Sequence, residues 1–82
     1  MEAVVWGKVN CPSCLYAATL LNSHGIIPEK RTIGDGWTKE QLLAVVPNAR
    51  SVPQIFIDDV HIGGFPELEQ YCKSLSSVID IQ

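Results

Sequence analysis

The sequence lacks any apolar run long enough to cross a membrane, and it lacks a basic segment followed by an apolar stretch at its start. We therefore expect neither a membrane span nor a signal peptide, and the default location is cytoplasmic. A basic cluster is also missing, because six Lys and Arg stand against nine Asp and Glu, for a net charge of −3. Such a chain is not expected to bind nucleic acid, and any anionic ligand must be bound by a few placed cations.

The chain is also short and has few cysteines. Its 82 residues, of which 46% are hydrophobic, allow one small domain spanning residues 1–82. Three cysteines cannot all pair within one chain, whereas small secreted domains usually carry an even disulfide framework. A purely structural disulfide is therefore the weaker interpretation of any cysteine pair.

The first half of the chain predicts strand, loop, helix and strand. Ala3–Trp6 is an apolar run suited to a buried strand, and turn-forming residues follow it. Apolar residues then recur at helical spacing from Cys14 to Ser23, and Gly25 is placed to end this helix in a left-handed conformation. The stretch "IIPEKRTIG" predicts a second strand, which Pro28 confines to a sheet edge or to the beginning of the strand. The predicted apolar face of the helix comprises Leu15, Tyr16, Ala18, Leu20 and Leu21.

The second half predicts helix, hairpin and helix. Thr38 and Gln41 have the spacing of a capping box, which marks the start of a helix. Gln54–Ile57 and Val60–Ile62 are strand-like runs on either side of two aspartates, which is a hairpin pattern. A last helix begins at Pro66, and the element order is therefore βαβαββα. The apolar face of this last helix comprises Leu68, Tyr71, Cys72 and Leu75.

Two cysteines flank a proline and a serine in "CPSC", at the start of the first predicted helix. At this spacing Cys11 and Cys14 lie within one turn, so their sulfurs can close a disulfide with little backbone movement. Unpaired N–H groups and the helix dipole favour a thiolate on Cys11, and we expect its pKa to fall from about 8.5 to roughly 3.5–7.5. Cys14, a turn further in, suits the role of resolving thiol. Pro12 fits the first turn, because its missing N–H costs nothing there.

Metal-binding alternatives remain open for this pair. A closed zinc site needs four ligands, and only Cys72, His24 and His61 remain, scattered and without a second paired motif. An iron–sulfur cluster shared between two copies of the chain is harder to exclude, since each copy would supply only some thiolates. We expect no metal: Cys72 is most simply a buried hydrophobe, His24 a helix C-terminal cap and His61 a surface residue.

Three motifs together resemble the glutaredoxins, notably small bacterial and phage-type members with two active-site cysteines. They are K-x-x-C-P-x-C after the first strand, "SVPQIFID", and "HIGG", in this order and at this spacing, so that the resemblance covers nearly the whole chain. The resemblance implies a thioredoxin-like α/β fold, with a four-stranded mixed sheet flanked by three helices. It also implies a monomer, with a cleft over the cysteines that binds glutathione as co-substrate.

The resemblance assigns glutathione-binding roles to residues outside the cysteine motif. Pro53 corresponds to the family's cis-proline, which leaves the backbone of Val52 free to pair with the cysteinyl part of glutathione. Lys8 corresponds to a family lysine near the glycine carboxylate, and Arg50 lies where a second cation often assists. Two cations in an acidic chain fit an anionic tripeptide.

Further expectations concern the γ-glutamyl end of glutathione, and two positions depart from the family pattern. Gly63–Gly64 allows close approach of a ligand and leads into a helix N-terminus, which suits the γ-glutamyl carboxylate. Ser13 stands where the family usually has Tyr or Phe, so a small hydroxyl replaces the aromatic wall of the glutathione site, and we expect looser glutathione binding or a wider site. Pro66 stands where many relatives have Asp, and we expect Glu67 to accept the γ-glutamyl ammonium in its place. Phe65 would give hydrophobic cover near the cleft.

The resemblance implies a glutathione-dependent thiol–disulfide oxidoreductase that reduces protein disulfides and glutathionylated proteins. Ribonucleotide reductase is among the protein substrates that the family suggests, and the reduction potential should lie near the glutaredoxin range of about −200 to −230 mV. Two alternatives remain: a redoxin reduced by thioredoxin reductase, which Ser13 and Pro66 favour, and an iron–sulfur-binding dimer with glutathione as a ligand. In the family, a proline at the position of Pro12 usually disfavours the binding of an iron–sulfur cluster.

Overall fold

The computed structural model of the protein describes residues 1–80, with side chains described to residue 75. Over these residues the elements follow the predicted order βαβαββα. No helix among them is both long and apolar enough to cross a membrane. The elements are β1 Ala3–Lys8, α1 Pro12–Ser23, β2 Glu29–Ile33, α2 Lys39–Val45, β3 Gln54–Ile57, β4 Val60–Gly63 and α3 Phe65–Asp80.

The strands form one mixed sheet in the order β2-β1-β3-β4. β1 pairs in parallel with β2, where Val5 lies opposite Lys30, and antiparallel with β3, where Val5 lies opposite Ile55. β3 and β4 form the predicted antiparallel hairpin. β2 is an edge strand, as the position of Pro28 predicts, and the four-stranded mixed sheet with three helices is confirmed.

Successive residues of β1 contribute to separate apolar clusters, because side chains alternate between the two faces of a strand. Ala3 and Val5 pack with residues of α1 and α3, whereas Trp6 packs with residues of α2. Burying each large side chain of these clusters contributes about 1.5–3 kcal/mol. The first cluster comprises Ala3, Val5, Ala17, Leu21, Ile26, Ile55, Ile57, Leu68 and Cys72. The second comprises Trp6, Leu42 and Val46.

The apolar face predicted for α1 is only partly correct. Ala18 and Leu21 are buried as predicted, but Leu15 is 61% exposed and Tyr16 is 59% exposed, while Ala17 is fully buried. Helical spacing identifies candidate stripes, but the position of the sheet decides which stripe is covered. Ala17 and Leu21 pack in the cluster that includes Val5 of β1, whereas Leu15 and Tyr16 lie outside it and face solvent.

Local turn chemistry fixes how the elements connect. Gly25 has φ 77° and ends α1 as predicted, and its N–H donates to the carbonyl of Asn22 at 3.0 Å. α2 begins with the predicted capping box, in which Thr38 and Gln41 bond reciprocally. Two aspartates with φ 51° and 67° turn the chain between β3 and β4. The strands and helices are thereby positioned by signals that lie within a few residues of each turn.

Candidate active site

The cysteine pair lies where β1 runs into α1. Cys11 is the N-cap residue of α1, with extended backbone angles of φ −114° and ψ 101°, and Pro12 takes the first helical position. The sulfurs of Cys11 and Cys14 are within disulfide-bonding distance, and their Cα atoms are 5.3 Å apart. The expectation that this spacing permits a disulfide within one turn is therefore confirmed.

The first turn of α1 directs a backbone donor at the Cys11 sulfur. The N–H of Cys14 donates to Cys11 Sγ at 3.2 Å, so the sulfur occupies the place that a Ser or Asp side chain takes at other helix starts. This N–H is among the four that lack a partner inside the helix. No acidic residue lies in the first turn of α1. A negative charge on Cys11 Sγ would therefore meet a hydrogen-bond donor and the positive end of the helix dipole.

Gly7 lies beneath Cys14, and the sequence interpretation did not assign it a role. A Cβ atom built on Gly7 would lie 3.0 Å from both Cβ and Sγ of Cys14, which is closer than side chains normally approach. β1 extends through Gly7 to Lys8, two residues beyond the predicted strand. A glycine inside a strand often marks close approach of another group, and this was the signal that could have identified Gly7.

A hollow, which we call the thiol cavity, lies beside both sulfurs. It has a volume of about 580 Å³, and its lining includes Cys11, Cys14 and Pro12. Lys8 and Lys30 are the charged residues of this lining. The exposed side chains of Leu15 and Tyr16 also line it, so the mispredicted face of α1 contributes apolar surface next to the dithiol.

A second hollow, which we call the basic groove, shares Lys8 with the lining of the first. It has a volume of about 300 Å³, and three cations line it: Lys8, Lys39 and Arg50. In the described part of the chain none of the three forms an ion pair with a carboxylate. The structure therefore brings together the two cations named from the sequence and adds a third at the start of α2. Val52 lines the same groove.

Aromatic packing holds the start of α2, and so Lys39, in this position. The ring of Trp37 meets the buried ring of Trp6 edge to face, with centroids 5.2 Å apart. The guanidinium of Arg31 lies 4.5 Å from the centroid of the Trp37 ring. Lys39 could not be identified from the sequence, because its place in the groove depends on how α2 packs on the sheet.

A third hollow, which we call the Glu67 cavity, shares Ser51 and Val52 with the lining of the basic groove. It has a volume of about 270 Å³. The peptide bond between Val52 and Pro53 is cis, as the resemblance implies. Outside regular helices and strands, no backbone hydrogen bond of the described residues uses Val52. The lining brings together the predicted residues Ser13, Val52, Pro53, Gly64, Phe65 and Glu67.

The side chain of Glu67 folds back over the paired glycines at the start of α3. The N–H of Gly64 donates to Glu67 Oε1 at 2.7 Å. Gly63 has φ 122°, and a Cβ built on it would lie 2.9 Å from Glu67 Cγ. A Cβ on Gly64 would lie 3.2 Å from Glu67 Oε1. In this structure the space beside both glycines is therefore taken by the chain's own carboxylate.

The remaining cysteine and the two histidines lie away from these hollows. Cys72 is buried in the core, and burial raises the pKa of its thiol. His24 caps the C-terminus of α1, as predicted, and His61 is an exposed hairpin residue whose Nε2 lies 2.7 Å from Gln54 Oε1. Among the described residues, no group of three or more His, Cys, Asp or Glu side chains could hold a metal ion.

Comparisons with known proteins agree on one family. The family model described as "Glutaredoxin" matches residues 3–62. A probable glutaredoxin of Synechocystis is 39% identical over 69 residues, which cover 83% of this chain and 76% of that protein. The crystal structure of glutaredoxin 1 from Francisella tularensis has a TM-score of 0.77 at 26% identity and covers 93% of this chain and 96% of its own. A buckwheat glutaredoxin–glutathione complex has a TM-score of 0.66 at 28% identity, and the match covers 88% of this chain and 68% of the buckwheat chain.

Proposed function

Because the chain belongs to the glutaredoxin family, whose members are thiol–disulfide oxidoreductases, we propose that it uses glutathione to reduce protein disulfides and glutathionylated proteins. One observation carries the proposal. The Cys11 sulfur caps α1 and accepts the N–H of Cys14, with the second sulfur within reach. This arrangement favours a thiolate nucleophile with its own resolving thiol.

The reaction with a protein disulfide proceeds by two exchanges. The Cys11 thiolate attacks one sulfur of the disulfide, the S–S bond breaks, and the leaving thiolate takes up a proton. The thiolate of Cys14 then attacks Cys11 Sγ and releases the second substrate thiol, which leaves an intramolecular disulfide. Two glutathione molecules return both cysteines to thiols and leave as glutathione disulfide. The substrate thus gains two electrons and two protons, and glutathione supplies them.

With a glutathionylated protein, Cys14 is not needed. Cys11 attacks the glutathionyl sulfur, and the protein thiol leaves. A second glutathione then attacks the mixed disulfide on Cys11, which restores the Cys11 thiolate and forms glutathione disulfide. The distinction between one-cysteine and two-cysteine reactions gives the two sulfurs separable roles.

The three hollows support a single orientation of glutathione. The basic groove suits the glycine carboxylate through Lys8 and Arg50, and the backbone of Val52 lies between this groove and the Glu67 cavity. The γ-glutamyl end then points toward Gly63–Gly64 and Glu67. A buckwheat relative has been crystallised as a glutaredoxin–glutathione complex, which supports glutathione as the ligand class.

Protein substrates would approach the dithiol over the apolar rim of the thiol cavity. The exposed side chains of Leu15 and Tyr16 provide that rim beside both sulfurs. Ribonucleotide reductase is one example of the protein substrates that we propose. We place the reaction in the cytoplasm, since a reducing compartment keeps such thiols reduced. We propose that the protein acts as a monomer.

Turnover of hydroxyethyl disulfide with glutathione and glutathione reductase tests the proposal. We expect steady NADPH oxidation, and the Cys14→Ser variant should still reduce a glutathionylated peptide while losing reduction of a protein disulfide. The same protein is assayed with thioredoxin reductase in place of the glutathione system, because Ser13 and Pro66 motivate that second reductant. Turnover with thioredoxin reductase alone would overturn the assignment of glutathione.

A further inference from the structure

The two ends of the cleft beside Val52 carry opposite charge. Lys8, Lys39 and Arg50 line the basic groove, and no carboxylate is among its lining residues. Glu67 is the charged residue of the lining at the other end. Glutathione carries a carboxylate at each of its ends, so the two ends of the cleft cannot serve it equally well.

Backbone donors are also scarce at the Glu67 end. Anions bind at helix starts through N–H groups that lack a partner within the helix. Four positions at the start of α3 could offer such a donor, Gly64 to Glu67, and the N–H of Gly64 already donates to Glu67 Oε1 at 2.7 Å. Pro66 has no N–H, so two of the four positions, Phe65 and Glu67, are left to offer a donor to a ligand.

The carboxylate of Glu67 also opposes a second carboxylate directly. The γ-glutamyl unit carries its ammonium and its carboxylate on one carbon atom, so attraction of the ammonium to Glu67 is offset by repulsion of the neighbouring carboxylate. The carboxylate at the glycine end has no such opponent, since its groove holds three cations without an ion-pair partner in the described part of the chain.

We infer that the cleft recognises the cysteinylglycine half of glutathione, and that the γ-glutamyl unit contributes little to binding. The ligand class is a cysteinyl residue followed by one residue with a free carboxylate, with or without a group on the cysteinyl nitrogen. This inference rests on the proposed function and concerns its substrate range. Glu67 and Pro66 act as specificity-determining residues, because they withhold from a ligand two of the four donors that a helix start normally offers.

Single-turnover reduction of three mixed disulfides tests this inference. One peptide thiol is linked to glutathione, to cysteinylglycine, or to glutathione whose glycine carboxylate is amidated. The prereduced protein is mixed with each, and the second-order rate constant for peptide release is divided by the rate constant with dithiothreitol, which corrects for intrinsic reactivity. We expect loss of the γ-glutamyl unit to change the ratio less than about threefold, and amidation to lower it about tenfold or more.

The order of the two effects decides the outcome. If loss of the γ-glutamyl unit lowers the ratio as much as amidation or more, the inference is overturned while the oxidoreductase assignment stands. If the protein releases peptide from none of the three mixed disulfides, the proposed function itself fails. The two failures are thus distinguishable within one set of measurements.

Two substitutions test the residues themselves. In Glu67→Gln the side chain keeps its size and an oxygen that can accept from Gly64, but it loses its charge. Combined with Pro66→Ala, which restores a backbone N–H, it should raise the preference for glutathione over cysteinylglycine at least about threefold. Glu69→Gln, an exposed change of the same charge on α3, is the matched control and should leave the preference unchanged. An unchanged preference in the double variant would count against these residue roles.

Discussion

Helices α1 and α3 both begin beside the candidate active site, and the two beginnings are capped in opposite senses. At α1 the side chain of the N-cap residue Cys11 accepts the N–H of Cys14 at 3.2 Å. At α3 the N–H of Gly64, just before the helix, donates to the side chain of Glu67 at 2.7 Å. Each start therefore contains one half of the reciprocal pair of bonds that makes a capping box.

The difference lies in what the capping atom can do afterwards. α2 has both halves of a capping box, with Thr38 and Gln41 as partners, and no redox-active or ligand-facing group takes part. At α1 the acceptor is a sulfur whose bonding and charge change during thiol–disulfide exchange. At α3 the acceptor is a carboxylate, which takes up the N–H of Gly64 in this structure. One helix start is therefore available for chemistry, and the other is occupied by the chain itself.

Replacing the sulfur at the start of α1 should have the largest effect. Serine is a preferred N-cap residue, so Cys11→Ser should fold with an unfolding free energy within about 1 kcal/mol of the parent. Because the variant lacks the thiol that we propose as nucleophile, turnover of hydroxyethyl disulfide with glutathione should fall by at least about 10³-fold. Turnover within tenfold of the parent would show that another group attacks the substrate. Urea unfolding of the same preparation separates loss of chemistry from loss of fold.

The close approach of β1 to α1 gives the next largest effect. In Gly7→Ala the new methyl group would lie 3.0 Å from Cβ and Sγ of Cys14, so either the helix start or the strand must move. We expect a loss of about 1–3 kcal/mol in unfolding free energy, measured by urea denaturation of the oxidised protein. Gly36→Ala serves as the comparison, since no atom lies within 4 Å of its added Cβ and any cost there comes from its φ of 92°. If Cys14 reacts normally in Gly7→Ala, the contact with Gly7 is not what positions the Cys14 thiol.

Removing the caps of α2 and α3 should have smaller and unequal effects. Thr38→Ala removes both bonds that depend on the threonine side chain, and we expect a loss of about 1 kcal/mol. Glu67→Ala frees the exposed N–H of Gly64, which can bond with water instead, so we expect a loss of only about 0.5 kcal/mol in unfolding free energy. Urea denaturation of both variants measures the difference. Equal losses would mean that the half cap at α3 is as important for folding as the complete box.

The smallest effect concerns the third cysteine, which differs from Cys11 by its burial. Burial raises the pKa of Cys72, so the unfolded chain releases this proton at a lower pH than the folded protein does. The unfolded state then binds fewer protons above the ordinary thiol pKa of 9.0, and stability falls as pH rises from there toward the raised value. The oxidised protein isolates Cys72, and Cys72→Val should remove this part of the slope between pH 8 and 10.

Local signals made much of the fold predictable. Gly25, the Thr38–Gln41 pair and the two hairpin aspartates act within a few residues, and each lies where the pattern placed it. The apolar face of α1 was predicted less well, since Leu15 and Tyr16 satisfy the helical spacing and yet remain exposed. Spacing along a helix does not say which direction the sheet lies in.

In the candidate site, too, residues that act through local sequence could be predicted, and residues that act through packing of distant elements could not. Cys11 and Cys14 could be identified because their reactivity depends on a spacing and a helix start that the chain itself encodes. Gly7 and Lys39 could not, since each matters through a residue on another element: Cys14 for Gly7, and the groove that includes Arg50 for Lys39.

By itself the sequence determined the element order, the caps and the dithiol, because these depend on residues within about one turn of each other. The tertiary structure decided which surfaces surround the dithiol. Packing of α2 on the sheet gathers three cations into one groove, and the start of α3 places Glu67 against Gly63–Gly64. Charges and donors act through space, so their sum at a cleft is set only when distant segments meet.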